Sequence, residues 1–280
     1  MARRRKSRHG YRILGAVAVI AIAAAAAIFL PGRCSKNQHD EASYEFGLEL
    51  AIPQFSPPTS SQTIEHIGYT VSYSSELRNP YWVAYELTSA EVSGKEKRTD
   101  KFVPDPLVKG TQASNADYSR SGWDKGHHAP AADMGWSKQA MEESFYMSNI
   151  SPQEKNLNRG AWKNIEKLTR DNATRYGKVL VVTGPVFSSA GDRRTIGKNE
   201  VVIPDAFYKV LLVEDDGLKG VGFYCENVGS NAKEAKSHAR SIDEIEEITG
   251  IDFFHKLPDD IEERVESAYD WKHWNTGGKK

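Results

Sequence analysis

One helix constrains this chain more than any other feature. Residues 158–176 read NRGAWKNIEKLTRDNATRY, with Trp162, Ile165 and Leu168 or Thr169 on one side and Gly177 directly after. That spacing describes a helix that lays one face on a core and stops at a residue free to turn left-handed. An apolar strand, Lys178–Thr183, follows at once. Alternating or apolar runs at Tyr69–Tyr73, Tyr81–Leu87, Phe207–Glu214 and Val221–Cys225 supply further strands, the last two joined through Asp215-Asp216-Gly217 as a hairpin. Helices are predicted over Lys138–Glu143, Ile242–Thr249 with a Ser241/Glu244 capping box, and Asp259–Tyr269. Strands and helices do not alternate in the βαβ order that a parallel sheet needs. The class is α+β, with a central, mostly antiparallel sheet flanked by helices.

The N-terminal end has a different composition. Arg3, Arg4, Arg5, Lys6, Arg8 and Arg12 precede an uncharged, alanine-rich run, Ile13–Leu30, that ends at Pro31-Gly32. Eighteen apolar residues just span a bilayer core, and the basic block before them favours a cytoplasmic N-terminus. The expected organisation is a basic cytoplasmic segment at 1–12, a transmembrane signal anchor at 13–30, a linker at 31–62 and a folded domain at 63–280. The linker is rich in polar and turn-forming residues and is broken only by a short amphipathic piece, Tyr44–Ile52. This places the domain on the outer (periplasmic or extracellular) side of the cell membrane; cleavage of the helix would give a secreted protein.

The net charge is −1, and the six basic residues before Ile13 leave the remainder at about −7. A mildly acidic folded part argues against tight, sequence-specific nucleic-acid binding through counterion release, but not against an enzyme that touches phosphate through a metal and a few cations. Cys34 and Cys225 offer no disulfide framework.

The chemistry concentrates in Trp123–Arg170. His127 and His128 follow Gly126, and adjacent residues in an extended segment face opposite ways, so only one histidine belongs to a site. Asp124 is a candidate to hold that imidazole. Asn158 opens the long helix, where an asparagine ordinarily caps; a cap and a metal ligand are not easily the same side chain. Glu166, eight residues on, falls on the core-facing side and needs a cation or donors. Asn149 lies in a strand-like run, Phe145–Ile150, followed by a helix-start signature at Ser151-Pro152-Gln153-Glu154. Arg98, in KRTDKFVPD, reads from spacing alone as a surface cation.

Three blocks in order, WDKGHHAPA, FYMSNISPQ and LNRGAWKNIE, together with the later TGPVF and TGIDFF, resemble the DNA/RNA non-specific endonuclease family of secreted bacterial nucleases and endonuclease G. The resemblance runs from about Tyr69 to Trp274 and implies the ββα-metal fold. It further implies His127 as general base, Asn158 as the protein ligand of one hydrated Mg2+ (Mn2+ able to substitute), and Glu166 as holder of the ion's waters. Asn149 falls on a second site asparagine, expected together with Lys125 to bind substrate, and Arg98, near Phe102 and Asp105, on a phosphate-contacting arginine. Lys125 stands where the family's Asp-Arg-Gly-His signature has arginine, keeping the charge but losing the bidentate fork. The implied activity is metal-dependent, sugar-non-specific hydrolysis of DNA and RNA to 5′-phosphate ends, with an inhibitor protein as a further partner. The alternative is a catalytically inactive envelope nucleic-acid-binding module on the same fold. A zinc protein built on the two histidines lacks further ligands at suitable spacing.

Overall fold

A computed structural model describes residues 44–187 and 193–275. Its frame is a seven-stranded antiparallel sheet in the order β1-β2-β3-β6-β9-β10-β11. The strands are β1 Gln62–Glu65, β2 Thr70–Ser74, β3 Asn79–Thr88, β4 Asp124–His127, β5 Ile150–Gln153, β6 Lys178–Val186, β7 Thr195–Ile196, β8 Val201–Val202, β9 Ala206–Glu214, β10 Leu218–Glu226 and β11 Ala239–Arg240. Strands β4 and β5 form a separate antiparallel ribbon, as do β7 and β8. Helices in chain order are α1 Leu48–Ala51, α2 Ser89–Val92, α3 Asn115–Tyr118, α4 Lys138–Glu143, α5 Lys155–Leu157, α6 Lys163–Tyr176, α7 Ile242–Thr249, α8 Asp259–Glu266 and α9 Trp271–Trp274.

The central strands β6 and β9 are largely apolar on both sides because both sides are covered. Along β9, Phe207, Leu211 and Val213 pack with Trp162, Ile165 and Leu168 of the long helical stretch. Their neighbours Tyr208, Val210 and Leu212 pack on the other side with Leu50 of α1, Ile242 and Ile245 of α7 and Val265 of α8. The α+β class, the antiparallel sheet and the hairpin are as expected; Glu214 and Leu218 face each other across the turn.

Three local expectations change. The stretch read as linker is packed from Tyr44 onward in its described part: α1 lies against β3 and β6, with Leu50 and Ala51 buried. Two apolar residues in one turn suffice to dock a helix too short to persist alone. The segments 1–12 and 13–30 lie outside the described residues. The helix expected over Asn158–Tyr176 begins earlier and is broken: α5 leads into a π-helical turn, Asn158–Trp162, where Gly160 leaves helical backbone (φ −114°, ψ −105°), before α6 continues to Gly177 at φ +85°. Finally, Phe145–Ile150 is no strand. Met147–Asn149 form a 3-10 turn, and the strand begins at Ile150.

Candidate active site

The ribbon of β4 and β5 presents the histidines. Asp124 faces Gln153, Lys125 faces Pro152, Gly126 faces Ser151 and His127 faces Ile150. Position 126 has to be glycine, since a Cβ there would meet the Gln153 side chain. The pleat sends the imidazoles opposite ways, as expected. His128 points inward, fully buried, its Nε2 2.7 Å from Ser151 Oγ. His127 lies against two rings, 5.4 Å from Phe102 and 5.0 Å edge-on to Phe145 between centroids, and its Nε2 is buried with no hydrogen-bond partner. Burial, then the Arg98 charge, pull the His127 pKa down to about 3, with Asp100 pulling weakly upward. The ring is therefore neutral throughout the ordinary pH range.

Two cations share the same aromatic wall. The Arg98 guanidinium lies 4.9 Å from the Phe145 centroid and pairs with Asp100. Lys125 Nζ lies 4.6 Å from the Phe102 centroid and 5.8 Å from that of Tyr118. The wall is held from behind by Asp105, whose buried carboxylate accepts from Ser148 Oγ at 2.6 Å and contacts His66 Nε2 at 3.0 Å. Those hydrogen bonds outweigh its burial and hold the Asp105 carboxyl below the usual range.

Asn158 is not a cap. Glu154 takes that role, accepting from the backbone N–H groups of Asn156 and Leu157, so the helix starts at the end of the Ser151–Glu154 signature and the Asn158 amide is released from backbone duty. Its Nδ2 donates to Asp124 Oδ2 at 3.1 Å, and Asp124 also accepts Arg159 Nε at 2.8 Å and Nη2 at 2.9 Å. Asp124 thus orients Asn158 and Arg159 instead of the His127 imidazole. Among the described residues no hydrogen bond engages Asn158 Oδ1.

Glu166, one turn into α6, has no hydrogen bond or ion pair among the described residues. Burial, reinforced by Asp133, raises its pKa, opposed by the charges of Lys209, Arg170 and Arg98. Arg98 therefore acts electrostatically on both His127 and Glu166. Asn149 is fully buried and its amide is used internally. Oδ1 accepts from Ala129 N, and Nδ2 donates to the carbonyls of Ala129 and Ser144, each at 2.9 Å.

Sequence reasoning missed the charges behind Glu166. Arg170 pairs with buried Asp133 at 2.7 Å, and Tyr85 donates to Asp133 at 2.8 Å. Lys209 is wholly buried, its Nζ 3.4 Å from the His128 carbonyl and 5.2 Å from the Trp162 ring centroid; burial lowers its pKa. Two of these carried a signal. Arg170 is four residues after Glu166 on one helix side, and Lys209 occupies an inward register in an otherwise apolar strand.

The sequence profile of the DNA/RNA non-specific endonuclease family matches residues 47–260. The chain is 34% identical over 220 residues to the mitochondrial nuclease EXOG of Xenopus laevis, covering 73% of this chain and 61% of that one. It is likewise 34% identical to the mitochondrial endonuclease G of Bos taurus, covering 73% and 69%. This chain therefore spans less than two thirds of the Xenopus protein's length. Among solved structures, a chain of the EndoG/EndoGI complex, described as showing the mechanism of EndoG inhibition, superposes with a TM-score of 0.68 at 28% identity, over 75% of this chain and 91% of the other. The expected placement in the cell membrane, or secretion, is corrected by these relatives, which are named as mitochondrial nucleases. Among the described residues no helix is long and apolar enough to cross a membrane. The matched profile, covering most of the chain, and the shared antiparallel-sheet architecture lead to one conclusion: the chain belongs to the DNA/RNA non-specific endonuclease family.

Proposed function

We propose that this protein is a metal-dependent, sugar-non-specific endonuclease that hydrolyses DNA and RNA to 5′-phosphate ends through a ββα-metal unit made of β4, β5 and the α5–α6 stretch. The observation that carries the reading is the His127 ring, neutral, with a buried and unpartnered Nε2, set beside Arg98 and Lys125 on one aromatic wall. A neutral imidazole accepts a proton, and flanking cations recruit a phosphate.

The residues fit a hard divalent ion. Asn158 offers an oxygen whose amide partner is already fixed by Asp124, and the Glu166 carboxylate has no competing donor among the described residues. A carboxamide with a nearby carboxylate suits an ion that keeps most of its own waters. When bound, Mg2+, with Mn2+ able to substitute, supplies stabilisation of the negative charge that develops on the phosphoryl group. Arg98 and Lys125 hold the phosphodiester, and His127 Nε2 takes the proton of the attacking water. The new P–O bond forms as the P–O3′ bond breaks, so the 3′ oxygen departs, taking up a proton from solvent to become a hydroxyl, and the phosphate stays on the 5′ end. These contacts go to the backbone, so cutting is independent of base sequence. Asn149 acts from behind, fixing the Ala129 backbone next to the histidine pair instead of touching substrate. The family's EndoG/EndoGI complex supports an inhibitor protein as a further partner.

The test is incubation of the protein with plasmid DNA and with RNA, in Mg2+ and in EDTA, followed by end analysis. Mg2+-dependent cutting of both, leaving ends that need dephosphorylation before kinase labelling, is the expected result. Binding without cleavage in Mg2+ and Mn2+ would favour the inactive binding module.

A further inference from the structure

We infer that the protein carries a calcium-binding site between α7 and α8, on the side of the sheet away from His127. Asp243 and Glu246 of α7 and Glu266 at the end of α8 each offer a carboxylate oxygen, and these oxygens lie within 4.8 Å of one another. The separation suits calcium, whose oxygen ligands sit about 2.3–2.6 Å from the ion and so span up to about 5 Å across it.

A group of acids on a surface would mean little alone. The second observation is Glu266 itself: it is only 5% exposed, and its Oε1 is buried without any hydrogen-bond partner. Buried carboxylates are ordinarily met by a cation, by donors or by a metal. Among the described residues no ion pair reaches it. The charged groups acting most strongly on Glu266 are Glu246, Glu262, Asp243 and Asp252, carboxylates from α7, from α8 and from the loop between them. Burial first, and these neighbours next, push the Glu266 pKa up to about 9, while Glu246 rises to about 7 although it accepts from Phe253 N at 2.7 Å. The trio is also built on rigid supports. Ile242 and Ile245 of α7 and Val265 of α8 are buried in the core on that side, and glycine at 220 and 222 lets both helices approach β10 closely, where a Cβ would collide with them. An ion there would tie together two short helices whose facing side chains otherwise repel.

This site is separate from the proposed catalytic ion, because α6 with Glu166 packs on the opposite side of the sheet. Calorimetric titration with calcium, and melting with and without it, on the full-length protein, Glu266→Gln, Asp243→Asn and Asn158→Ala distinguish the two. The wild type and Asn158→Ala should bind one calcium ion and melt higher in its presence. Glu266→Gln and Asp243→Asn should bind it at least ~10-fold more weakly, lose the melting shift and keep Mg2+-dependent cutting. Asp243 is exposed, so its variant keeps the test open should Glu266→Gln fail to fold. Calcium binding and a melting shift unchanged in Asp243→Asn and in any folded Glu266→Gln would overturn the inference. So would a wild-type calcium signal abolished by Asn158→Ala alone.

Discussion

Replacing Asn149 by leucine separates a strut from a substrate contact. The amide makes three hydrogen bonds at 2.9 Å in a fully buried position, to both backbone groups of Ala129 and to the Ser144 carbonyl. Leucine has nearly the same volume and admits no water, so these three groups lose their partner. Each buried polar group left unpaired costs about 1–3 kcal/mol, which gives a loss of roughly 3–9 kcal/mol, a large share of the ~5–15 kcal/mol by which folded proteins are stable. For a folded unit of this size, at about 2–4 °C per kcal/mol, the melting temperature should fall by at least roughly 6 °C. Calorimetry and urea unfolding measure the loss, and cleavage assayed well below the lowered midpoint should retain most of the activity per folded molecule. A variant that melts within a degree or two of the wild type while cutting ~100-fold more slowly would show that Asn149 touches substrate, and the strut argument would fail.

Other perturbations address the remaining groups. His127 has a pKa near 3 in the fold against about 6.5 in an unfolded chain; its contribution to stability is complete above pH 6.5 and is lost as pH falls toward 3, up to about 5 kcal/mol in all. His127→Gln should therefore melt less steeply with acid between pH 6.5 and 4 than the wild type, and identical slopes would refute the burial argument. His127→Ala should cut at least ~10²-fold more slowly with Mg2+ affinity nearly intact, whereas Asn158→Ala should weaken Mg2+ binding, both read by calorimetry and turnover. Lys125→Ala should lower kcat/KM by one to two orders of magnitude, about 1.4–2.8 kcal/mol, and flatten the salt dependence, while Lys125→Arg should be tolerated; unchanged rate and salt slope in both would remove Lys125 from the phosphate.

Much of the frame was legible because its signals are local. The apolar runs of β6, β9 and β10, and the glycine ending α6, follow from neighbour-to-neighbour periodicity. The opposite facing of His127 and His128 needed only the pleat. What periodicity could not supply was partner choice across long separations. Asp124 was a candidate to hold the histidine, yet it holds Asn158 and Arg159, more than thirty positions away. Asn158 reads as a cap because the regular periodicity begins only after it; the Ser151–Glu154 signature marks the earlier start, but the kink at Gly160 separates that start from the long helix in the pattern. Asp133 behind Glu166 had no pattern at all, being an acid in a loop until Arg170 and Tyr85 close on it.

The wide turn at Asn158–Trp162 sets a phase. In an unbroken α-helix, eight steps of about 100° would leave Asn158 and Glu166 roughly 80° apart around the axis. The kink at Gly160 (φ −114°, ψ −105°) interrupts that count, so the phase between amide and carboxylate is set by the kink's own backbone and not by helix periodicity. A substitution that let the stretch run on as a regular α-helix would keep both functional groups and the helix, yet leave them roughly 80° apart around the axis. Spacing, no less than identity, is what the surrounding sequence has to protect.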